Sequence, residues 1–492
     1  MLKHWMTHAE YQQFISVSIT HLNESQLKKL RSYQYSLDKL TSLNLDPVGD
    51  YLAPFYSHTG RPALNQPQII RSLVLMLDQK IQSLDKWVKN LHNDDILALL
   101  IGCSTDSLPP LGSYYDFIDR LWLQSENSEK LGRNILLPAC KNSKPSQKPG
   151  KGKKLPNRHS NVVKQVADYV SSDHKIPFHF EETLQKIFMI AAVVPSMELG
   201  LIDKNDLTIS GDGTCVHTHA NPYGHRKCNC GKKGIFDCKC PRHYSDPDAS
   251  YGWDSDLGSY YFGYTLYTLS YHSSKYKTDL PILLRFLDAR RHDSVSGIVT
   301  LAELRNLAPD FKIKNLCFDS ANDNYATYEL LKKWNINPFI DLNSNRGRPS
   351  AIPDNITIDT DGTPLCSAGY RMINWGYCSQ KHSRKWRCPV ACGRKNSCSC
   401  KESCSTSAYG RCVYTKPDWD IRLYTPIPRG TTKYKQIYNN RTGSERVNNR
   451  ILNDYHLHDM KIHGRKRYSF FTMIAGINIH LDARIKIQTS VA

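Results

Sequence analysis

Three acidic residues occupy positions from which a folded chain could bring them together. Asp212 follows the short apolar segment 207–210, Asp319 follows the apolar segment 313–318, and Glu445 lies in a charged helical segment. Gathered carboxylates repel one another unless a cation is present, and Mg²⁺ prefers oxygen ligands. Taken singly, an Asp between two glycines is typical of a turn, and a helical Glu is commonly solvated. As a set, the three acids predict a site for two Mg²⁺ or Mn²⁺ ions of the kind that supports phosphodiester cleavage.

The second acid has a competitor four residues further along the chain. Asp319 comes directly after the apolar segment, whereas Asp323 comes just before the next helical segment. Sites in α/β sheets are built at the carboxyl ends of strands, which favours Asp319 as the ligand. We expect Asp323 to cap the following helix instead.

The 16 cysteines are unevenly distributed, and one compact group has a spacing that could hold a metal. Its members are Cys228, Cys230, Cys238 and Cys240. Four thiolates are enough for a tetrahedral zinc site, although these pairs are closer in sequence than the usual C-x2-C pairs. The alternative is a cysteine-rich hairpin without metal. His225 and His243 flank the group. His217 and His219 are either additional ligands or, as we expect, ordinary strand residues.

A second cysteine-rich patch lies between Asp319 and Glu445. Its candidate zinc ligands are Cys388, Cys392, Cys398, Cys400 and Cys404, with Cys366 and Cys378 before them and Cys412 after them. A metal could stabilise such a segment, which has little apolar content of its own. We therefore predict a second structural zinc in this patch.

The elements around the acids follow an α/β order. Apolar and alternating segments predict strands near 207–210, 260–271, 281–287, 313–318 and 338–342, with helices at 298–307, 325–334 and 441–455. Three strands, a helix, a strand, a helix, a strand and a late helix resemble the ribonuclease H-like fold, in which three acids meet at one edge of a mixed sheet. The fold prediction is therefore an α/β catalytic core with flanking helices, an all-α N-terminal domain and cysteine-rich insertions.

The same patterns divide the chain into segments. An apolar stripe through Ile70, Val74, Leu77, Ile81 and Leu84 predicts one helix within a helical N-terminal domain, residues 1–140. Residues 141–160 hold seven Lys or Arg and no acid, as expected of a basic linker, either a solvated tether or a segment that also contacts phosphates. The predicted core covers 161–344, with a cysteine-rich insertion at about 221–250. A cysteine-rich insertion domain follows at 345–425, and 426–492 completes the core with a basic C-terminal helix.

Several motifs resemble those of the DDE transposases of bacterial insertion sequences. The segments are GRPAL at 60–64, LGLI at 199–202, SGDGT at 210–214, FDSAND at 318–323, and Tyr438-xx-Arg441-xxx-Glu445. The last resembles the family's Tyr-Arg-Glu signature. The resemblance implies that Asp212, Asp319 and Glu445 are the catalytic acids of a DNA transposase, which cuts the transposon ends and joins them to target DNA.

The resemblance also implies contacts with double-stranded DNA. The predicted DNA-binding residues are Tyr438, Arg441, Arg446, Arg450, Arg465, Lys466 and Arg467. The family often has a Lys seven residues after the Glu, but this chain has Leu452, and Arg450 is not an equivalent phosphate ligand. Two alternatives therefore stay open: a catalytically inactive, domesticated DNA-binding protein, and a ribonuclease H-like nuclease without strand transfer.

Composition agrees with an anionic partner. Lys and Arg number 65 against 46 Asp and Glu, a formal charge of +19, and the 40% hydrophobic content excludes a wholly disordered chain. The longest apolar run, 187–194, is far shorter than the ~20 residues of a membrane span. We expect a cytoplasmic, nucleoid-associated protein that acts as a homodimer on DNA and has no membrane partner.

Overall fold

The computed structural model describes residues 1–122, 162–172, 181–343, 349, 351–400 and 404–491. The predicted basic linker, 141–160, lies outside these ranges. None of the described helices is long and apolar enough to cross a membrane.

The described N-terminal part of the chain is built from helices. They are α1 (His8–Thr20), α2 (Glu24–Ser32), α3 (Gln34–Ser42), α4 (Asp46–Leu52), α5 (Gln66–Asp78), α6 (Leu84–Asn93), α7 (Asp95–Leu100) and α8 (Leu111–Arg120). Thr7 and Asn23 begin α1 and α2 with capping boxes, so their first backbone amides are satisfied. The apolar stripe predicted as one helix is divided between α5 and α6. Lys80 adopts a left-handed φ of 55°, and Ser83 caps the new helix.

A mixed six-stranded sheet forms the centre of the described chain. Its strands are β1 (Leu207–His217), β4 (Ser250–Asp254), β5 (Ser259–Ser273), β6 (Thr278–Asp288), β7 (Ile313–Phe318) and β8 (Asn337–Ile340), and the two-residue strands β2 (His225–Arg226) and β3 (Arg242–His243) form a separate ladder. β5 pairs antiparallel with β1 on one side and with β4 and β6 on the other. β7 pairs parallel with β1, and β8 pairs parallel with β7.

Helices pack against this sheet and position the predicted site residues. They are α9 (Val162–Ser171), α10 (Glu182–Phe188), α11 (Val194–Glu198), α12 (Asp293–Leu307), α13 (Tyr325–Lys333), α14 (Thr432–Tyr438), α15 (Thr442–Asn449) and α16 (Arg465–Val491). α9 packs with α12 and α13, while α15 contacts β1, β5 and β6. The predicted order of strands and helices is therefore present, with shifted boundaries.

The C-terminal helix joins the N-terminal helices to the sheet. α16 packs against α3, α5 and α8 and also against β6, and all of them contribute to one continuous apolar core. The buried Lys39 ammonium bridges Asp78 of α5 at 2.5 Å and Asp482 of α16 at 2.6 Å. The N-terminal helices therefore share their core with the rest of the chain. The basic residues of α16 lie in its first turn and, with the buried Arg484 and the exposed Lys486, near its end, while the helix between them is largely buried and apolar.

The 345–425 insertion contains a small three-stranded sheet of its own. Its strands are β9 (Ile373–Cys378), β10 (Ser383–Arg387) and β11 (Cys412–Thr415). Cys366, Met372, Trp386 and Val413 form a compact buried cluster there. The insertion thus has an apolar centre that its composition did not predict.

Candidate active site

Asp212 lies in the middle of a strand, which excludes the turn that its flanking glycines suggested. β1 continues to His217, and Asp212 is opposite Thr268 of β5. A Cβ atom at Gly211 would lie 2.3 Å from a ring carbon of Phe318, so only glycine fits where β1 and β7 meet. Close packing of the two strands, rather than a turn, explains this glycine.

The Asp212 carboxylate is buried and held by a short chain of hydrogen bonds. Asn448 of α15 donates to Asp212 Oδ2 at 3.1 Å, and Thr268 donates to Asn448 Oδ1 at 2.6 Å. Burial first, and then the nearby carboxylates of Asp293, Glu445 and Asp319, together raise the Asp212 pKa to about 7. A bound cation would offset the repulsion between these carboxylates.

Asp319 follows β7, where the sequence predicted it. Its Oδ1 accepts a hydrogen bond from Asn322 Nδ2 at 2.9 Å. Asp323 has other partners: its carboxylate accepts from the backbone N–H of Asn343 at 2.8 Å and lies 3.9 Å from the Arg422 guanidinium. The prediction that Asp323 caps the next helix is wrong, since the side chain of Asn324 caps α13.

Glu445 lies in the first turn of α15 and pairs with Arg441. The distance from Arg441 Nη1 to Glu445 Oε1 is 2.7 Å. A 3-10 turn over Asn439–Arg441 separates α14 from α15, so Tyr438, Arg441 and Glu445 do not share one regular helix face. They still gather, because the Tyr438 hydroxyl, the Glu445 carboxylate and Asp212 all act electrostatically on Arg441.

A fourth carboxylate, Asp293, was missed by the sequence reasoning. It is the first residue of α12, and a Cβ atom built on Gly213 would lie 2.6 Å from its Oδ1. Burial first, and then the neighbouring Asp319 carboxylate, raise the Asp293 pKa to about 6. The available signal was its position at the start of a helix that follows β6. An acid at that position commonly stabilises the positive end of the helix dipole, so it did not indicate a site.

The acids lie near one another without forming a tight single-ion cage. Asp212 lies within electrostatic reach of Asp293, Asp319 and Glu445. Across the described ranges, no three of these acids place oxygens within 4.8 Å of one another. A pair of ions about 4 Å apart distributes its ligands over a wider space than one ion does.

The four thiols of the first cysteine group lie close together in the structure. The four Sγ atoms of Cys228, Cys230, Cys238 and Cys240 all lie within 4.8 Å of one another. Cys228 Sγ is 3.5 Å from Cys238 Sγ, and Cys230 Sγ is 3.7 Å from Cys240 Sγ. Tetrahedral zinc with Zn–S bonds of about 2.3 Å requires S–S separations close to these. Hydrogen bonds, first from the Cys230 backbone amide and then from the neighbouring thiols, lower the Cys228 pKa to about 7, which favours the metal-binding thiolate.

The neighbouring histidines lie outside this group of thiols. His225 and His243 pair in the β2–β3 ladder and are exposed. His217 stacks on Tyr261 with ring centroids 5.0 Å apart, and His219 Nε2 is 3.0 Å from the backbone oxygen of His458. We name residues 223–244, which hold the four cysteines, the cysteine knuckle.

The second cysteine patch does not converge in the same way. In the described parts of the insertion, no three of its thiols come within 4.8 Å of one another, including those of Cys388, Cys392, Cys398, Cys400 and Cys404. Cys388 is buried near the small apolar cluster, while Cys398 and Cys404 are exposed. The geometry therefore does not support the second zinc prediction, and packing around Trp386 holds this region together instead.

The predicted DNA contacts near the acids have internal partners. Tyr438 is half-buried and stacks on Tyr434 with centroids 6.1 Å apart. Arg446 forms two hydrogen bonds to Asp279, of 2.6 and 2.9 Å. Arg450 contacts Asp482 at 2.5 Å. Both arginines therefore contribute ion pairs to the fold.

The three basic residues at the start of α16 differ in how deeply they are buried. The Arg465 side chain is largely buried. It donates to the backbone oxygen of Phe286 in β6 and lies 3.7 Å from Glu181, so it stabilises the fold rather than contacting a phosphate. Lys466 pairs with Asp119 at 2.5 Å, and Arg467 lies over the Tyr115 ring at 4.8 Å. Leu452, at the position of the family's Lys, is buried in the core.

Neither the protein-family models nor the curated proteins that were searched match this chain. Its function is therefore inferred from the carboxylate pocket, the cysteine knuckle and the motif resemblance.

Proposed function

We propose that this chain is a DNA transposase of an insertion sequence, which cuts transposon ends and joins them to target DNA. One observation carries the proposal. Asp319 from the end of β7 and Glu445 from a late helix both lie within electrostatic reach of Asp212 on β1, and the three acids occupy the places that the motif resemblance requires. We expect the protein to work in the bacterial cytoplasm, at the nucleoid, as a homodimer on paired DNA ends.

The strand order supports a ribonuclease H-like core. With the edge strand β4 set aside, the sheet order is β6-β5-β1-β7-β8, in which β6, β5 and β1 pair antiparallel and β7 and β8 run parallel to β1. The helix α12 connects β6 and β7. This is the layout that the ribonuclease H-like interpretation predicts from the order of elements.

The donor set fits hard divalent cations. Asp212, Asp319 and Glu445 would hold Mg²⁺ or Mn²⁺, and Asp293 adds a fourth carboxylate beside them. Bound ions of this kind stabilise charge on the attacking and leaving oxygens of a phosphodiester. Asn448 fixes the orientation of Asp212, and Arg441 is positioned to bind a backbone phosphate when Glu445 turns to a metal.

Zinc is the ion that the cysteine knuckle fits best. Its four thiols match the charge, softness and spacing of a closed structural site. We propose that zinc binding holds the insertion between β1 and β4 in shape, because residues 221–245 contribute no residue to the main apolar core.

A second candidate function is a catalytically inactive, domesticated DNA-binding protein. Leu452, which is buried, occupies the position where the family often has a Lys, and this departure favours the binding protein. The intact acid set favours catalysis instead. A ribonuclease H-like nuclease without strand transfer would use the same carboxylates and would leave the exposed 3′-hydroxyl unjoined.

Incubation of the purified protein with Mg²⁺, a labelled duplex carrying the DNA that flanks its coding sequence, and a plasmid target tests the proposal. A transposase gives joined products, a nuclease gives cut products only, and an inactive binding protein gives an intact duplex with slower mobility. Asp212→Asn should abolish cutting and leave binding intact. Asp206→Asn is the matched control, since Asp206 is an exposed acid just before β1 that pairs with Lys314. Normal cutting by Asp212→Asn would refute the proposal.

A further inference from the structure

A short β-hairpin beyond the main sheet presents aromatic rings to solvent. β4 and the first residues of β5 form it, with Trp253 opposite Tyr260 and Tyr251 opposite Phe262. Trp253 is 56% exposed, Tyr260 is 73% exposed and Tyr251 is 47% exposed. Cross-strand partners lie on the same side of a ladder, so these rings share one face, which we name the aromatic face.

The aromatic face is held in place from behind. The opposite side of the hairpin carries Tyr261 and Asp254, which are buried. The Tyr261 hydroxyl forms a hydrogen bond with the Thr265 hydroxyl, with the oxygens 3.1 Å apart. The Asp254 carboxylate accepts hydrogen bonds from the backbone amides of Asp256 and Leu257 in the turn. On the exposed side, Trp253 and Tyr260 meet edge to face with centroids 5.1 Å apart. Several large apolar rings exposed together on a pair of strands indicate a binding surface.

The positively charged cysteine knuckle lies next to the aromatic face. The side chain of Tyr223, at the start of the knuckle, interacts with that of Tyr251. Residues 221–245 hold six Lys or Arg and one Asp, a local charge of 6 − 1 = +5. Arg226 and Arg242 bind backbone oxygens of Phe236 and Tyr223 within the knuckle. The exposed lysines are Lys227, Lys232, Lys233 and Lys239.

We propose that the aromatic face and the knuckle lysines together bind unpaired DNA bases, with the rings stacking on bases and the lysines contacting the adjoining phosphates. Aromatic side chains beside a basic surface are the combination that recognises single strands without sequence preference, because every base has a π face. Stacked base pairs in an intact duplex hide those faces, so the surface is suited to separated strands. The inference rests on the proposed function in one respect, since cutting at a DNA end is what would expose such bases.

Fluorescence anisotropy with labelled oligonucleotides tests the inference on the full-length protein, without added Mg²⁺ and without chelator so that the knuckle is undisturbed. The probes are a dT oligonucleotide, an abasic oligonucleotide of equal length and a blunt duplex. We expect the dT probe to bind more tightly than the abasic probe, which has the same phosphates. The double variant Trp253→Ala/Tyr260→Ala should weaken dT binding about 5-fold or more, and abasic binding little, because stacking contributes ~1–3 kcal/mol per base.

The control is Phe55→Ala, which removes an exposed ring from the N-terminal helices. Circular dichroism and melting establish that each variant is folded, and Trp253→Phe/Tyr260→Phe should retain dT binding because it keeps the rings. Equal affinity for the dT and abasic probes, or an unchanged dT affinity in the double Ala variant, would overturn the inference. So would a change of sedimentation with no change of DNA binding, which would make the face a contact between copies of the chain. Loss of cutting in Asp212→Asn tests the proposed function separately, because that variant should still bind dT.

Discussion

Asp293 is a carboxylate that no sequence motif marks, and it lies beside the acids of the proposed site. Its carboxylate lies against Gly213, next to Asp212. Burial raises the pKa of both groups, and nearby carboxylates add to it: Asp319 for Asp293, and Asp293 itself for Asp212. We predict that Asp293→Asn lowers Mn²⁺ affinity and DNA cutting about 10- to 100-fold, the range typical of residues that support a metal site. A Mn²⁺ titration followed by electron paramagnetic resonance measures the affinity. Asp310→Asn, an exposed acid paired with Lys204, is the control. Unchanged Mn²⁺ affinity would remove Asp293 from the site.

The raised pKa values also predict how stability changes with pH. The Asp212 pKa is about 7 and the Asp293 pKa about 6, against 3.8 for an ordinary Asp. Between about pH 4 and 7 the folded chain therefore binds protons that the unfolded chain has released, so this contribution to stability falls as pH rises. Urea unfolding without Mg²⁺ or Mn²⁺ should show Asp212→Asn gaining stability relative to wild type from pH 5 to pH 8. A difference between the two proteins that stays constant over this range would contradict the prediction.

Much of the acid set could be predicted from sequence, because strand ends and a motif spacing carry it. Asp319 is at a strand end as expected, and Glu445 is on a late helix. The location of Asp212 inside β1 could not be predicted, since its flanking glycines meet two different needs: Gly211 makes room for Phe318, and Gly213 makes room for Asp293. Such close approaches between distant segments leave no periodic pattern in the sequence.

The two cysteine-rich segments behave differently as elements of structure. The cysteine knuckle gathers its four thiols, while the 345–425 insertion uses a three-stranded sheet and the Trp386 cluster. We predict that metal analysis of purified protein finds a single zinc ion per chain. Cys228→Ser should lose it, and Cys398→Ser, a change at an exposed thiol of the other patch, should keep it. Two zinc ions per chain, or zinc retained by Cys228→Ser, would contradict the structural interpretation.

Element types were easier to predict than their limits. The strand at 313–318 was predicted with its observed bounds, because it is a short, continuous apolar run between polar neighbours. The apolar stripe from Ile70 to Leu84 continued at helical spacing across a break that only the backbone shows, at Lys80. Local periodicity indicates which side of a segment is buried. It does not reveal a break between two helices when the apolar residues on both sides of the break stay buried.

The molecule as a whole is tied together by its C-terminal helix. Ile477 of α16 is fully buried in the core that α16 shares with α5 and β6. We predict that Ile477→Ala lowers the free energy of unfolding by about 2–5 kcal/mol. Hydrogen exchange should quicken in both α5 and β6, because the two elements pack on the same helix. Gln488→Ala, at an exposed position of α16, should leave both unchanged. Faster exchange in only one of the two would show that the N-terminal helices form a separate domain.

This shared core places the N-terminal helices in fixed contact with the elements around the carboxylate pocket. Lys39 of α3 binds Asp482 of α16, which in turn accepts from Arg450, five residues after Glu445. The division of the chain into an independent helical domain and a catalytic core followed from sequence segments alone. Contacts between the ends of the chain, which determine the architecture, have no local signature in the sequence.

Anomalous diffraction from crystals of the protein soaked in Mn²⁺ tests the central claim most directly. The account predicts Mn²⁺ peaks that contact Asp212 together with Asp319 or Glu445, and the loss of these peaks in Asp212→Asn. Mn²⁺ bound only elsewhere, or peaks beside Asp212 that survive its replacement, would contradict the claim that these carboxylates form a metal-dependent site for DNA cleavage.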